Sequence, residues 1–518
     1  MTFEIIFTLI LIAGMITALI YDLMRPGMVL FSVVILFLCA GILSPKELLE
    51  GFSNKGMITV AMLFLVSEGI RQTGAISQLI KKLLPEKKTT VTKSQLRMLP
   101  AIAGISAFLN NTPVVVIFAP IIKRWANKVN LPATRFLIPL SYATILGGLC
   151  TLIGTSTNLV VHGMILETGR SGFSMFELGK VGIFIAIAGI TYILCFSNKL
   201  LPAKRPDVVN EEEEETPAEE LHRVEAVIGP RFPGIKKTVK EFGFERHYGA
   251  TVKEIKRSGQ SISKNLDNEI FREGDTLVLM ANENFIPTWG ESSVFLMLAN
   301  GKEHEEDEKQ RKKRWLALTL LIIMIIGATI GELPSMKNII PGVQLDMFFF
   351  VSITTIIMAW TKLFPPKKYT KYISWDILIT IACAFAISKA MENSGFADLL
   401  ASKIISMADS LGPHALLAII FIITNLFTEV ITNNAAAALA FPIALSVATQ
   451  LNVNPTPFFV VICMAASASF STPIGYQTNL IVQGIGNYKF TDFVRFGLPL
   501  NFITFILSVF LVPLFWEF

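Results

Sequence analysis

The sequence predicts an all-α polytopic membrane protein built as two inverted repeats, with a small α+β insert between them. Three observations carry that expectation: hydropathy, a duplicated polar phrase, and the placement of lysine and arginine. Of 518 residues, 52% are hydrophobic and 16% charged, and mean hydropathy is +0.57. Apolar stretches of about 17 or more residues recur at both ends of the chain, enough to cross ~30 Å of hydrocarbon as helices. They are far longer than the alternating strands of an outer-membrane barrel. The run 3–20 follows an acidic start (Glu4), which argues against a signal peptide.

The duplicated phrase is GISAFLNNTPVVVIFAPII at 104–122 and LFTEVITNNAAAALAFPIA at 426–444. Each is followed by a second matched phrase, TLIGTSTNLVV from Thr151 and TPIGYQTNLIV from Thr472. Gly154 and Gly475 are 321 residues apart, as are Asn158 and Asn479, while Asn111 and Asn433 are 322 apart. Matched breaks in the hydrophobic segments of two halves point to a transporter's binding site at membrane depth.

Spans follow in order. The first half offers 4–20, 27–43, 57–70, 133–160 and 175–197; the second offers 315–331, 345–361, 373–391, 456–483 and 493–515. Between the third and fourth span of each half lies an apolar segment with polar residues at its centre. The first, 98–122, has Lys93 and Arg97 before it and Lys123, Arg124 and Lys128 after it. Positive charge at both ends predicts a re-entrant hairpin entered from the cytoplasm. Its tip is expected near Asn110–Thr112, where Pro113 favours a break. The second, 414–448, has no Lys or Arg near it, since none lies between Lys403 and Lys489, and is expected to open outward. Five crossings per half force the halves into opposite orientation, with both termini outside and residues 203–312 cytoplasmic. Residues 81–93 are expected as an amphipathic connector.

Residues 203–312 hold the run Glu211 to Glu215 and no spanning segment. The polyglutamate reads as a solvated linker. Within 222–289, β-like runs at 223–228, 251–257 and 276–281 surround a polar helix-like stretch at 235–243. Arg257-Ser258-Gly259-Gln260 and Arg272-Glu273-Gly274-Asp275 suit tight turns.

At a hairpin tip two helix ends meet, offering unpaired N–H groups and carbonyls. The N-terminal ends attract anions and the carbonyl ends attract cations. Asn and Thr both donate and accept, so NNT and TNN can hold a cation and an anion side by side. Glycines in Thr151–Asn158 and Thr472–Asn479 allow close approach. With no Arg or Lys at either tip, an anion is held by dipoles and amides, and a multiply charged one calls for co-transported cations. Glu429 lies four residues before Asn433 and reads equally as a hydrogen-bond partner or as a proton or cation site. The five cysteines (Cys39, Cys150, Cys195, Cys383, Cys463) have no CxxC spacing and read as packing residues. A net charge of +5 gives no reason to expect nucleic acid, no Gly-rich phosphate loop points to ATP, and His162 stands apart from any catalytic constellation. An enzyme is therefore not expected.

The motif set resembles the divalent-anion:sodium symporter family, within the superfamily that includes arsenite and sodium/proton permeases. That family's Ser-Asn-Thr tip signature corresponds to Asn110-Asn111-Thr112 and Thr432-Asn433-Asn434. The resemblance implies an anion site of Asn111, Thr112, Thr151, Asn433, Asn434, Thr472 and Pro473. It implies one Na⁺ at Ser106, Asn110, Asn111 and the backbone near Cys150. A second would sit at Thr428, Thr432, Asn433 and the backbone near Ile431 and Ser471. The wording NNTPVV, GTSTN and TPIGYQTN is closest to the sulfate-transporter-like branch, which makes sulfate the first choice and a C4 dicarboxylate the second. A Na⁺/H⁺ or arsenite permease of the same superfamily is the nearest rival, and a channel a more distant one.

The insert resembles the TrkA C-terminal (RCK C-terminal) module, which pairs into dimers. Some such modules bind a cyclic dinucleotide such as cyclic di-AMP, and a plain spacer is the alternative. Together these readings describe a homodimeric, Na⁺-coupled anion symporter of the bacterial plasma membrane, working by an elevator or rocking motion.

Overall fold

A computed structural model describes residues 3–21, 23–75, 84–85, 89–203, 222–229, 231–257, 260–282, 285, 289, 294–299, 308–331, 344–407 and 412–518. The first half holds α1 (Phe3–Ile20), α2 (Pro26–Cys39), α3 (Lys55–Gln72), α4 (Val91–Ser106), α5 (Asn111–Lys128), α6 (Thr134–Gly148), α7 (Ser156–Glu167) and α8 (Gly179–Leu200). The second holds α9 (Glu308–Gly331), α10 (Met347–Trp360), α11 (Trp375–Asn393), α12 (Phe396–Met407), α13 (Gly412–Val430), α14 (Asn433–Leu451), α15 (Thr456–Ser467), α16 (Gln477–Gly486) and α17 (Phe490–Phe515). Local chemistry starts several of them. The Asn54 side chain accepts from the Gly56 N–H ahead of α3, and Asp346 accepts from the Phe349 N–H ahead of α10.

Seven helical runs among the described residues are long and apolar enough to cross a bilayer, which makes this a multi-pass membrane protein. The helices α2 and α10, at 14 residues each, span about 21 Å. The expected broken elements at 133–160 and 456–483 are α6 with α7 and α15 with α16, parted at residues 149–155 and 468–476.

The two tip-bearing segments are longer than the sequence suggested. The first begins at Val91 rather than 98 and runs to Lys128 rather than 122. Its terminal turns carry Lys93, Arg97, Lys123, Arg124 and Lys128, which helix tolerates and hydropathy discounts. In the second, α13 and α14 have 19 residues each, enough by length and composition to be spans themselves. Of the 81–93 connector, residues 81–83 and 86–88 lie outside the described residues, and Val91 to Lys93 already belong to α4.

Packing divides the helices by role rather than by sequence half. One bundle joins α4–α8 of the first half to α13–α17 of the second, with α6 against α4, α8 against α17 and α13 against α15. A flanking bundle joins α1–α3 to α9–α11, with α11 against α2 and α10 against α3. The two meet where α11 packs on α14 and α3 on α7. Each bundle thus draws on both halves, as interlocked repeats require.

The insert folds as a five-stranded antiparallel sheet, in the order β3-β2-β4-β1-β5. Its strands are β1 (His222–Ile228), β2 (Ala250–Arg257), β3 (Gln260–Ile262), β4 (Thr276–Ala281) and β5 (Phe295–Ala299). The expected runs are β1, β2 and β4, and a short helix, Val239–Phe242, falls in the expected polar stretch. Beyond residue 289, where the sequence signal ended, β5 adds an edge strand against β1. Arg257 pairs with Gln260 across the first turn, whose Ser258 and Gly259 lie outside the described residues. In the second turn Gly274 sits at φ +80°, the left-handed region that suits glycine.

This sheet rests on the helical body at two points. Glu225 of β1 takes both Lys123 of α5 (3.0 Å) and Lys256 of β2 (3.3 Å). Gly274 packs so closely on α16 that a Cβ there would stand 2.8 Å from Leu480. The insert is therefore seated on α5 and α16, the two helices whose opposite ends carry Asn111 and Tyr476.

Candidate functional site

The first tip is closed by its own side chains. Ser106 at the end of α4 donates its hydroxyl to Asn111 Oδ1 (2.6 Å) at the start of α5. The loop between α6 and α7 is tied to that tip, because Thr151 Oγ1 donates to the Ala107 carbonyl and accepts from the Gly154 N–H (3.1 Å). Asn158 spans the same loop, its Nδ2 donating to Gly148 O (3.3 Å) and Thr151 O (2.9 Å).

The second half repeats this set bond for bond. Thr428 Oγ1 donates to Asn433 Oδ1 (2.8 Å), and Thr472 Oγ1 donates to the Glu429 carbonyl (2.9 Å) and accepts from the Gly475 N–H (3.3 Å). Asn479 Nδ2 donates to Ser469 O (2.8 Å) and Thr472 O (3.1 Å). The duplication is geometric as well as textual. It also demands the glycines: a Cβ on Gly154 would fall 2.6 Å from Gly148 O, and one on Gly475 2.5 Å from Thr428 O.

Each tip faces the broken loop of the other half. Thr112 Oγ1 lies 3.4 Å from Gln477 Oε1, and Ser156 Oγ and Thr157 Oγ1 each lie 3.3 Å from Asn434 Oδ1. These contacts are two-fold mates, since Thr112 corresponds to Asn434 and Ser156 to Gln477. Between them stands Tyr476. Its phenol oxygen accepts from Asn111 Nδ2 and shares a hydrogen with Thr155 Oγ1 (3.2 Å).

Four helix N-termini therefore converge on one region, buried at Asn111 and Asn433 and open at Gln477: α5 at Asn111, α14 at Asn433, α7 at Ser156 and α16 at Gln477. Their aligned dipoles and free N–H groups favour negative charge there. The C-terminal ends of α4, α6, α13 and α15 turn carbonyls toward the same loops and favour cations. Asn111, Asn433 and Asn434 are all buried and supply amides.

The remaining expected residues fall into two groups. Thr151 and Thr472 brace the loops against the tips through backbone carbonyls, and Pro473 is buried within its loop. Asn110 and Thr432 stand at the N-cap positions of α5 and α14, and Ile431 is buried beside the second. Ser471 lies against Glu429, its N–H donating to Oε1 (3.0 Å). The Cys150 carbonyl packs against Gly179 of α8, where a Cβ would stand 2.7 Å from it. Glu429 accepts hydrogen bonds from three groups: the Ser471 N–H, Asn501 Nδ2 (2.6 Å) and Ser469 Oγ (3.4 Å).

Sequence reading took Thr155, Ser156, Thr157, Tyr476 and Gln477 only as part of the stretches Thr151–Asn158 and Thr472–Asn479 facing the tips and singled out none of them. The signal was present: Tyr476 and Gln477 are where the second copy of GTSTN departs from the first, reading GYQTN.

Comparison with known proteins agrees with this architecture. The citrate transporter family CitMHS matches residues 7–352 and 344–518. An uncharacterized transporter of Synechocystis is 30% identical over 93% of this chain and 92% of its own length. A sodium/sulfate cotransporter of Chlamydomonas reinhardtii is 21% identical over 93% of this chain and 86% of its own. The crystal structure of the Alcanivorax borkumensis YdaH transporter, described as having an unusual topology, covers 90% of this chain at 11% identity and a TM-score of 0.50; the alignment takes in 86% of that chain. The chain belongs to the CitMHS citrate transporter family of ion transporters, and it is a transporter rather than an enzyme.

Proposed function

We propose that the chain is a secondary active symporter that couples Na⁺ entry to uptake of a small divalent anion, with sulfate as the first substrate. The observation that carries this reading is the convergence of four helix N-termini on a cluster of neutral polar side chains: Asn111, Asn433, Asn434, Thr155 and Tyr476. Among the described tip residues no Lys or Arg offsets an anion's charge, so cations are the natural counter-charges. Ser106 and Asn111 on one side, and Thr428, Thr432 and Asn433 on the other, supply oxygens for two of them. The sodium/sulfate names of related proteins support the same coupling.

A second reading, transport of citrate or a C4 dicarboxylate, is favoured by the family description. Na⁺/H⁺ exchange gains less support, because Glu429 is already engaged by three donors. In the proposed mechanism the bundle bearing the tips moves against the flanking bundle in an elevator motion, the tips entering the membrane as re-entrant hairpins. The assembly is a homodimer in the bacterial plasma membrane, with the 203–312 insert cytoplasmic. The insert's resemblance to TrkA C-terminal modules keeps a cyclic dinucleotide as its ligand class. Binding of ³⁵S-sulfate to purified protein, measured in NaCl and in choline chloride, tests substrate and coupling together. Binding only in NaCl, displaced by unlabelled sulfate but weakly by citrate, is the expected result.

A further inference from the structure

The two halves match hydrogen bond for hydrogen bond around their tips, yet three matched positions differ sharply in chemistry. Ala107 ends the first tip's arm where the second has Glu429; both carbonyls accept the hydroxyl of the matching threonine. Cys150 stands where the second half has Ser471. Gly182 packs on Leu149 O just as Gly497 packs on Phe470 O, which aligns α8 with α17 and sets Ala186 opposite Asn501. The first half is thus Ala, Cys and Ala where the second is Glu, Ser and Asn.

Those three second-half residues form one connected group. Asn501 Nδ2 donates to Glu429 Oε1 (2.6 Å) and to Ser471 Oγ (2.8 Å), and the Ser471 N–H donates to the same carboxylate oxygen (3.0 Å). Both nitrogen donors thus meet on the one oxygen, Oε1, and tie the carboxyl of Glu429 to α17 and to the loop after α15. Asn501 is 7% exposed, and its Oδ1 has no hydrogen-bond partner, an acceptor left over beside the Glu429 carboxyl. Buried acceptors of this kind are rare in native structures and ask for a partner.

We infer that the two halves hold unequal cation sites: Glu429, Ser471 and Asn501 make the second a charge-compensated site that takes a monovalent cation before any anion arrives. The first, built from Ser106, Asn111 and backbone carbonyls, takes its cation only with the anion present. This rests on the Na⁺-coupled reading above and assigns an order within it. Glu429 acts as a positioning residue and a counter-charge next to the Thr428–Asn433 pair, not as a proton relay. An acidic side chain next to a cation site, in a partly screened interior, changes cation affinity by about tenfold or more.

The test uses purified full-length protein in detergent and reads thermal stability against NaCl concentration, with N-methylglucamine chloride holding ionic strength constant. Wild type is expected to be stabilised by Na⁺ alone, and further by sulfate at saturating Na⁺. Glu429→Gln should raise the half-saturating Na⁺ about tenfold or more, while the sulfate increment at high Na⁺ survives. Asn501→Ala should move it in the same direction by less, and Glu429→Asp should recover part of the loss. If Glu429→Gln and Asn501→Ala are merely less stable by the same amount in both salts, the role is structural and the inference is overturned. If wild type gains nothing from Na⁺ with or without sulfate, the coupling itself falls, a failure distinct from the first.

Discussion

Thr155 and Tyr476, 321 residues apart, share a hydrogen bond of 3.2 Å at the centre of the helical body. That separation is the repeat distance, so each residue is hydrogen-bonded to its own counterpart. A two-fold axis relating the halves passes between them. The tips and broken loops are arranged around this pair, which makes the phenol of Tyr476 the point where both halves are read at once.

The Tyr476 hydroxyl is expected to take part in anion recognition. It accepts from Asn111 and lies within hydrogen-bond distance of Thr155, where the two halves meet. Tyr476→Phe leaves the ring in place and orphans a buried amide, at a cost of about 1–3 kcal/mol. Uptake kinetics should show kcat/KM for the anion falling roughly 5- to 100-fold, with the protein still folded.

Asn158 and Asn479 each pin a broken loop through two carbonyls. Replacing either by Ala should destabilise the protein by about 1–3 kcal/mol, because two buried acceptors lose their donor together. Asn479→Ala should cost more than Asn158→Ala, because Asn479 Oδ1 also accepts from Ser141 Oγ (2.7 Å) while Asn158 Oδ1 has no partner. Melting of each variant in detergent, side by side, checks both the size and the order.

Docking of the insert is expected to depend on Glu225. Burial alone would push its carboxyl up, but Lys123 and Lys256 outweigh that and hold it at about 2. A carboxyl with a depressed folded pKa stabilises above its unfolded value and loses that contribution as pH falls through the folded one. The contact should therefore weaken from about pH 4.5 down to about 2, by about 3 kcal/mol in all. Glu225→Gln should loosen the insert already at neutral pH. Hydrogen exchange across β1 and the end of α5 reads this directly.

Much of this architecture is legible in the sequence because membrane helices must satisfy their own backbone, leaving hydropathy and broken segments few meanings. The doubled Asn phrases, the two loops and the insert's three main strands all lie where the residues indicate. Less legible are side-chain roles within the loops. The hydroxyls of Thr151 and Thr472, which the family resemblance sets at the anion, are bonded to carbonyls of the tips. Thr155 and Tyr476, four residues on, meet instead. Spacing fixes which residues are equivalent, but the direction a loop side chain takes depends on the opposing half, some 321 residues away. The edge strand β5 escaped notice because its pairing with β1 is likewise non-local.

The central claim is that both tips, one from each half, close around a single anion carried with Na⁺. Uptake of ³⁵S-sulfate into proteoliposomes under an inward Na⁺ gradient tests it most directly, with wild type, Asn111→Ala and Asn433→Ala compared and citrate and succinate as competitors. Concentrative, Na⁺-dependent sulfate uptake by wild type, lost in both variants although each still folds, is the predicted result. Sulfate uptake that ignores the Na⁺ gradient, or that survives unchanged in either variant, contradicts the account.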